Sequence, residues 1–208
     1  MSDRTVTTNG PSDAITAQPL WATRLAGIPG VALAFLWGFA EGTLFFVVPD
    51  VVISLAALLA PRRVWQHILA AIAGSAIAGV VLFSWSSSNP QAAHRAVARV
   101  PFVTSRMFSH VEMGYQKQGL GALLLGPLSG TPYKIYAVAA PRYLSKATFL
   151  WGTIPARGER FLLVWAVAGL LGNLLRKFNK GLASQLAVWH SSFWLILYAF
   201  YWGAIAFR

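Results

Sequence analysis

Two long apolar runs restrict what this chain can fold into. Residues 64–85 (VWQHILAAIAGSAIAGVVLFSW) carry no charge when their histidine is neutral, and the same holds for residues 187–207. Each run reaches the roughly 20 residues that an α-helix needs to cross a bilayer, whereas buried helices of soluble cores have shorter apolar stretches. We therefore interpret both runs as transmembrane helices.

The composition favours a membrane protein over a soluble domain. Of the 208 residues, 56% are hydrophobic and 11% are charged, whereas soluble domains average about 45–50% apolar and about 25% charged residues. So few charges cannot cover a soluble surface. We expect an all-α integral membrane protein in which residues 20–208 form one membrane domain and residues 1–19 form a disordered polar tail.

The positive charge of the chain follows the ends of the apolar runs. The 17 Lys and Arg exceed the 6 Asp and Glu, for a net charge of +11. Many of these bases flank apolar runs, as Arg62 and Arg63 do, and there they reach lipid headgroups. Because they form no patch, nucleic acid is not an expected partner.

The sequence has few features that would indicate an enzyme. The chain has no cysteine, and its 4 histidines show no metal-ligand spacing. It also lacks a phosphate-binding loop and a serine-hydrolase motif. We therefore expect no enzyme activity, no metal and no cofactor.

Residues 25–61 form an apolar stretch with two ionisable groups, Glu41 and Asp50. The stretch is too long for one membrane crossing, and it lacks the polar turn that two crossings need. Gly42 and Pro49 are expected to break the helix between the acids. Broken backbone at membrane depth is tolerated where protein or a wet cavity surrounds it, so the chain is predicted to leave on the side that it entered.

We accordingly predict a first helix over about 21–40 and a re-entrant hairpin over about 41–60. Residues 119–141 form a second short apolar run that Gly130 and Pro132 interrupt. This run is predicted to form a second re-entrant hairpin.

The connection over residues 86–118 is polar and contains QAAHRAVARVPF, which has the pattern of a basic amphipathic segment. Contact with lipid headgroups and a merely solvated loop are both compatible with this pattern. Residues 64–85 contain Ala70, Gly74 and Ala78 at a spacing that lets helices approach closely.

The two predicted hairpins resemble each other. Asp50 follows Pro49 by one residue, and Lys134 follows Pro132 by two. Broken apolar segments at corresponding positions of two halves are typical of inverted-repeat transporters, whose site lies between the repeats. We predict about four transmembrane helices and two opposed re-entrant hairpins that are related as an inverted repeat.

Residues 146–175 have charged side chains at their centre, among them Arg157 and Arg160. The two arginines lie three apart and share a helix face. This segment is either two short pieces joined at the membrane surface or one kinked helix whose arginines face inward.

Three segments resemble the DedA-type membrane proteins, also called VTT-domain or SNARE-associated-type proteins, and within them the YqaA-like branch. FAEGTLFFVVPDVVISLAALLAPRR is similar to the first hairpin of that branch, GYQKQGLGALLLGPLSGTPYKIYAVAA to its second hairpin, and IPARGERFLLVWAVAG to its next helix. The resemblance covers about residues 35–172. Val47 and Val48 stand where the branch usually has prolines, and Ser129 stands where many members have an arginine, so Lys134 is the expected cation there.

The resemblance implies two re-entrant hairpins that face each other and a protein that moves lipids. Bacterial members are linked to the recycling of undecaprenyl phosphate across the inner membrane and to the proton-motive force, and eukaryotic members to phospholipid scrambling. A bacterial inner membrane is therefore the expected location.

Acidic side chains at membrane depth are costly and are retained where they have a function. We expect the two acids to face the three cations in one site, which consists of Glu41, Asp50, Lys134, Arg157 and Arg160. The cations would bind a phosphate headgroup. The acids would repel the headgroup or take up a proton as the substrate moves. Substitution of either acid by its amide is expected to impair transport more than folding.

The sequence thus predicts a lipid-phosphate translocase or scramblase, with proton coupling as a further expectation. Its partners would be membrane lipids with anionic headgroups and protons, and homo-oligomerisation is left open. A proton-coupled carrier of a small solute or ion and a structural membrane-homeostasis protein are the alternatives.

Overall fold

The computed structural model describes residues 20–25, 27–59, 61–178 and 183–206, and the predicted polar tail lies outside them. The described residues form helices joined by turns, with no strand among them. In chain order the helices are α1 Leu20–Leu25, α2 Ile28–Gly42, α3 Asp50–Leu59, α4 Val64–Ser88, α5 Pro90–Ala98, α6 Ser105–Gln118, α7 Leu120–Leu125, α8 Tyr133–Ala139, α9 Lys146–Phe178 and α10 Ala183–Ala206. Short 3₁₀ turns, Gly126–Ser129 and Ala140–Arg142, flank α8.

Two helices in the described part of the chain, Val64–Ser88 and Lys146–Leu175, are long and apolar enough to cross a membrane. The first contains the predicted span over residues 64–85. Helix α10 covers residues 187–206 of the other predicted span.

The predicted first helix over about 21–40 is divided in the structure. Helix α1 ends at Leu25 and α2 begins at Ile28, with Pro29 in its first turn. Proline has no N–H to donate, so it suits the start of a helix and not its interior. The 15 residues of α2 are fewer than the roughly 20 that a membrane crossing needs.

Helices α2 and α4 pack closely and in parallel, because small residues line their contact. A Cβ on Gly38 would overlap the backbone oxygen of Ala71, and one on Gly74 would overlap that of Phe35. Helix α2 begins beside the start of α4 and ends with Gly42 against Ala78. The predicted close approach at the small residues of α4 is therefore present.

Residues 43–49 reverse the chain, and α3 returns it to the start of α4. We call α2, residues 43–49 and α3 the first reversal. Its limbs and turn span residues 28–59, and the predicted hairpin of about 41–60 covers the end of α2, the turn and α3. The helix continues through Gly42 because Thr43 closes its last turn, donating its backbone N–H to the carbonyl oxygen of Phe39 at 3.1 Å.

The second reversal consists of α7, residues 126–132 and α8, and it lies towards the opposite end of α4. Helix α9 runs antiparallel to α4, since Gly79 lies beside Phe149 and Gly158 beside Ile72. Helix α7 packs along the start of α9. Helix α8 then returns, and the Ser86 hydroxyl on the last turns of α4 donates to the carbonyl oxygen of Val138 at 2.7 Å.

The polar connection folds into α5 and α6, whose apolar faces are covered by protein. Ala93 and Val97 of α5 and Phe108 and Val111 of α6 are buried in one core cluster with residues of α8. The polar faces of these helices carry exposed bases such as Arg95. Any contact of α5 or α6 with lipid headgroups would therefore involve these polar faces.

The segment over residues 146–175 belongs to one continuous helix of 33 residues, which contains Pro155. This geometry matches the second of the two sequence alternatives. At a rise of about 1.5 Å per residue, α9 spans about 50 Å and exceeds the hydrocarbon core of a bilayer.

Candidate functional site

The five predicted charged residues lie together where the two reversals meet. Glu41 lies on the last turn of α2, Asp50 begins α3, Lys134 lies in the first turn of α8, and Arg157 and Arg160 lie near the middle of α9. Their ion pairs connect the first reversal both to the second reversal and to α9. Their predicted role in substrate binding stays a prediction.

Glu41, Lys134 and Arg157 form what we call the inner group. A carboxylate oxygen of Glu41 accepts a hydrogen bond from Nη2 of Arg157 at 2.7 Å. The ammonium nitrogen of Lys134 lies 3.7 Å from the other oxygen. The three side chains are no more than 4% exposed, so the carboxylate is neutralised by protein groups rather than by water.

Lys134 also joins the two reversals directly. Its ammonium group donates to the carbonyl oxygen of Phe45 at 2.9 Å, within the turn of the first reversal. This hydrogen bond brings the first turn of α8 against the turn of the first reversal. A buried ammonium group needs such acceptors because water cannot replace them.

Asp50 and Arg160 form what we call the outer pair. Nη2 and Nε of Arg160 donate to one oxygen of Asp50 at 2.6 and 3.1 Å. Two N–H groups on one carboxylate make a strong, directional contact. The Arg160 side chain is 25% exposed and that of Asp50 is 10% exposed, so this pair is the accessible part of the site.

Aromatic rings hold Arg157 in place. Its guanidinium carbon lies 5.2 Å from the centre of the Tyr133 ring and 4.7 Å from that of Phe161. These are cation–π distances. The Tyr133 hydroxyl lies 2.9 Å from the hydroxyl of Thr153. These neighbours were not among the residues predicted for the site, although Tyr133 directly precedes Lys134.

One polar atom of the inner group lacks a protein partner. Nε of Arg157 is buried and makes no hydrogen bond. A void of about 10 Å³ lies beside Arg157, Arg160, Tyr133 and Tyr136. Its size is about that of one water-binding cavity, so it leaves no room for a solute unless the helices move.

Helix α10 covers the first reversal with residues that the sequence analysis did not single out. The Tyr198 hydroxyl accepts a hydrogen bond from the backbone N–H of Val48 at 3.0 Å. His190 Nε2 accepts from the indole N–H of Trp194 at 3.0 Å and lies 2.7 Å from the Ser54 hydroxyl. No sequence signal connects these distant residues, because their proximity depends on how α10 packs.

The predicted helix-breaking residues have separate roles. Pro49 and Pro132 lie immediately before α3 and α8, where a missing N–H costs nothing. Gly42 lies against Ala78, where a Cβ would be only 2.6 Å away. Gly130 has a φ of +72° and nothing near its missing Cβ, so its backbone conformation is what requires glycine.

Within the described ranges, no group of three or more His, Cys, Asp or Glu side chains could hold a metal ion. Three cations against two carboxylates leave a formal charge of +1 when all five are ionised.

Comparison with family models, curated proteins and solved structures gives no match.

Proposed function

We propose that this chain is a membrane transporter that translocates or scrambles a lipid bearing a phosphate headgroup. The observation that carries the proposal is the group of five buried or half-buried charges at the meeting point of the two reversals. Its net charge of +1 favours an anion, and the guanidinium of Arg160 reaches its edge.

In this proposal α4, α9 and α10 cross the bilayer, and the two reversals are re-entrant hairpins that enter from opposite sides. The proposal thus has three membrane crossings, one fewer than the sequence predicts, because α2 is a limb of the first hairpin and does not cross the bilayer. The unit of α2, α3 and α4 corresponds to that of α7, α8 and α9. The opposite directions of α4 and α9 support an inverted repeat.

The proposal includes membership of the DedA or VTT-domain family and a bacterial inner-membrane location. The order of the three resembling segments supports it, as does the meeting of Glu41 and Asp50 with Lys134, Arg157 and Arg160. Helices long and apolar enough to span a membrane support membrane association.

The outer pair suggests how binding and proton uptake are linked. A phosphate that approaches Arg160 competes with Asp50 for the same N–H groups. A proton on an oxygen of Asp50 removes its charge and weakens its hold on Arg160, so the guanidinium becomes free to bind phosphate with two N–H groups. Loss of the proton restores the pair and releases the headgroup.

One rival function has direct geometric support. Both carboxylates are fully paired, as they would be in a structural protein whose charges only lock the two reversals together. Buried ion pairs are weak evidence of function by themselves. The small-solute carrier is less well supported, because the void beside the inner group holds about 10 Å³.

The deciding experiment measures headgroup exposure of labelled lipid phosphate in proteoliposomes that contain the pure protein. We expect the wild type to equilibrate the label between leaflets, Arg160→Gln to slow this at least about tenfold, and an uncharged lipid to be little affected. Arg142→Gln, at an exposed ion pair with Glu112, is the matched control. Equal loss for charged and uncharged lipids would favour the structural rival and exclude the proposal.

A further inference from the structure

A groove of about 600 Å³ lies between α3, α9 and α10. This volume is within the range of about 300–1,000 Å³ that ligand sites usually have. Apolar side chains from all three helices line it, including Leu58, Val167 and Phe193. Ser54 and His190 also line the groove, but they contact each other at 2.7 Å.

The outer pair stands at one end of this groove. On α9 the lining residues recur every three or four positions after Arg160, at 163, 164, 167, 168, 171 and 175, so they share its helix face. On α3, Ser54 and Leu58 follow Asp50 at intervals of four residues. From Arg160 to Leu175 this face extends about 22 Å along α9.

The groove is also open towards the surroundings of the helices. Val167 is 61% exposed and Leu171 is 52% exposed, and both lie on α9, one of the two helices long enough to span a membrane. In a bilayer these side chains face hydrocarbon rather than water. The groove therefore combines an apolar floor, access from the lipid and a cationic group at one end.

We propose that this groove seats one alkyl chain of an anionic lipid whose headgroup lies at Arg160. This inference rests on the proposed function and names the part of the substrate that the charges do not hold. The guanidinium of Arg160 at the end of the groove is complementary in charge to a phosphate. The apolar face that continues from it towards the C-terminal end of α9 suits contact with an alkyl chain. The lipid would be held with its headgroup at the middle of α9, as an intermediate of translocation.

The test uses hexadecyl phosphate with a brominated chain, present in trace amounts in phosphatidylcholine vesicles that contain the full-length protein. Bromine quenches tryptophan fluorescence on contact, and Trp189 lines the groove. Trp65 on α4 is the matched control, because it is 57% exposed against 55% for Trp189 and lies outside the groove. Trp194 also lines the groove and is half-buried. We therefore expect Trp189→Phe to remove a large part of the saturable quenching, the double variant with Trp194→Phe to remove most of it, and Trp65→Phe to leave it.

A second pair of variants tests the shape of the groove. Val167→Phe places a ring in the groove and should weaken saturable quenching about tenfold. Leu170→Phe is the control, since Leu170 is exposed to the same extent but lies outside the lining. Arg160→Gln should weaken binding of brominated hexadecyl phosphate and leave brominated hexadecanol unaffected.

Two results would overturn the proposal that the groove seats an alkyl chain. The first is equal loss of quenching in Trp65→Phe and Trp189→Phe, and the second is unchanged quenching in Val167→Phe. If Val167→Phe also changes the oligomeric state, the second result would assign the groove to a second copy of the chain. The Trp189→Phe measurement decides the matter if Val167→Phe does not fold.

The same preparations separate this inference from the proposed function. Saturable quenching at Trp189 without headgroup translocation would remove the transport proposal and keep the groove as a lipid site. Translocation that needs Arg160 but shows no dependence on Trp189 or Val167 would remove the groove proposal alone.

Discussion

The inner group and the outer pair are built from the same chemistry and differ in their surroundings. The Glu41–Arg157 contact of 2.7 Å and the Asp50–Arg160 contact of 2.6 Å are almost equally short. The inner side chains are nearly inaccessible, whereas Arg160 is 25% exposed. If one partner of a buried ion pair is removed, nothing takes its place beside the remaining charge. In an exposed ion pair, solvent or a ligand can take the place of the missing partner.

This difference changes what is expected of the two acids. The sequence predicts that an amide at either position impairs transport more than folding. For Asp50, which faces the accessible guanidinium, this stays a prediction. For Glu41 the structure indicates a large effect on stability, since two buried cations depend on its charge.

The largest effect is expected for Glu41→Gln. It leaves the charges of Arg157 and Lys134 uncompensated, so the free energy of unfolding should fall by about 3–5 kcal/mol. Denaturation of the purified protein in detergent measures this loss. Glu159→Gln is the control, since it makes the same chemical change at an exposed position of α9. Similar stability losses in the two variants would contradict the special role of the inner group.

Arg160→Gln should have a smaller effect on stability and a larger one on transport. The loss of its charged hydrogen bonds to Asp50 should cost about 1.5–3 kcal/mol, and partial exposure places the value near the lower limit. Unfolding midpoints and translocation rates should be measured on the same preparations. A stability loss as large as that of Glu41→Gln, with transport intact, would erase the distinction between the two groups.

Tyr133→Phe tests how firmly the inner group is supported. The variant removes the hydroxyl that lies 2.9 Å from Thr153 and keeps the ring beside Arg157. We expect a loss of about 0.5–1.5 kcal/mol in the free energy of unfolding. Tyr143→Phe, on the core cluster away from Arg157, is the comparison. A loss above that of Arg160→Gln would show that the hydroxyl, and not the ring, positions the inner group.

The smallest effect is expected at the exposed pair of Arg142 and Glu112, whose nitrogen and oxygen lie 3.1 Å apart. Arg142→Gln should change the free energy of unfolding by about 0–1 kcal/mol, because solvent screens exposed pairs. Addition of salt should reduce even this difference. A loss of stability in Arg142→Gln that persists at high salt would contradict the proposal that exposed ion pairs contribute less to stability than buried ones.

Local sequence patterns were sufficient to predict several features of the fold. The apolar run over residues 64–85 predicts α4, because its length and lack of charge leave few alternatives. Gly130 and Pro132 mark the second turn, since each restricts the backbone in its own way. The predicted break between the two acids is also present, since α2 ends at Gly42 and α3 begins directly after Pro49. The sequence did not predict that α2 itself forms one limb of the first reversal.

The sequence by itself determined which charges this protein must accommodate in an apolar chain. It placed Glu41, Asp50 and Lys134 near two predicted turns, and Arg157 and Arg160 on one face of the next helix. Only the tertiary structure decided which cation pairs with which acid. Glu41 is enclosed by Arg157 and Lys134, whereas Asp50 pairs with Arg160 at the edge of the site. The tertiary structure also decided that α10 packs beside α3 and α9 to form the groove. The physical reason is that charge and helix length are local properties, whereas burial and pairing depend on contacts between residues more than 100 positions apart, such as Glu41 and Arg157.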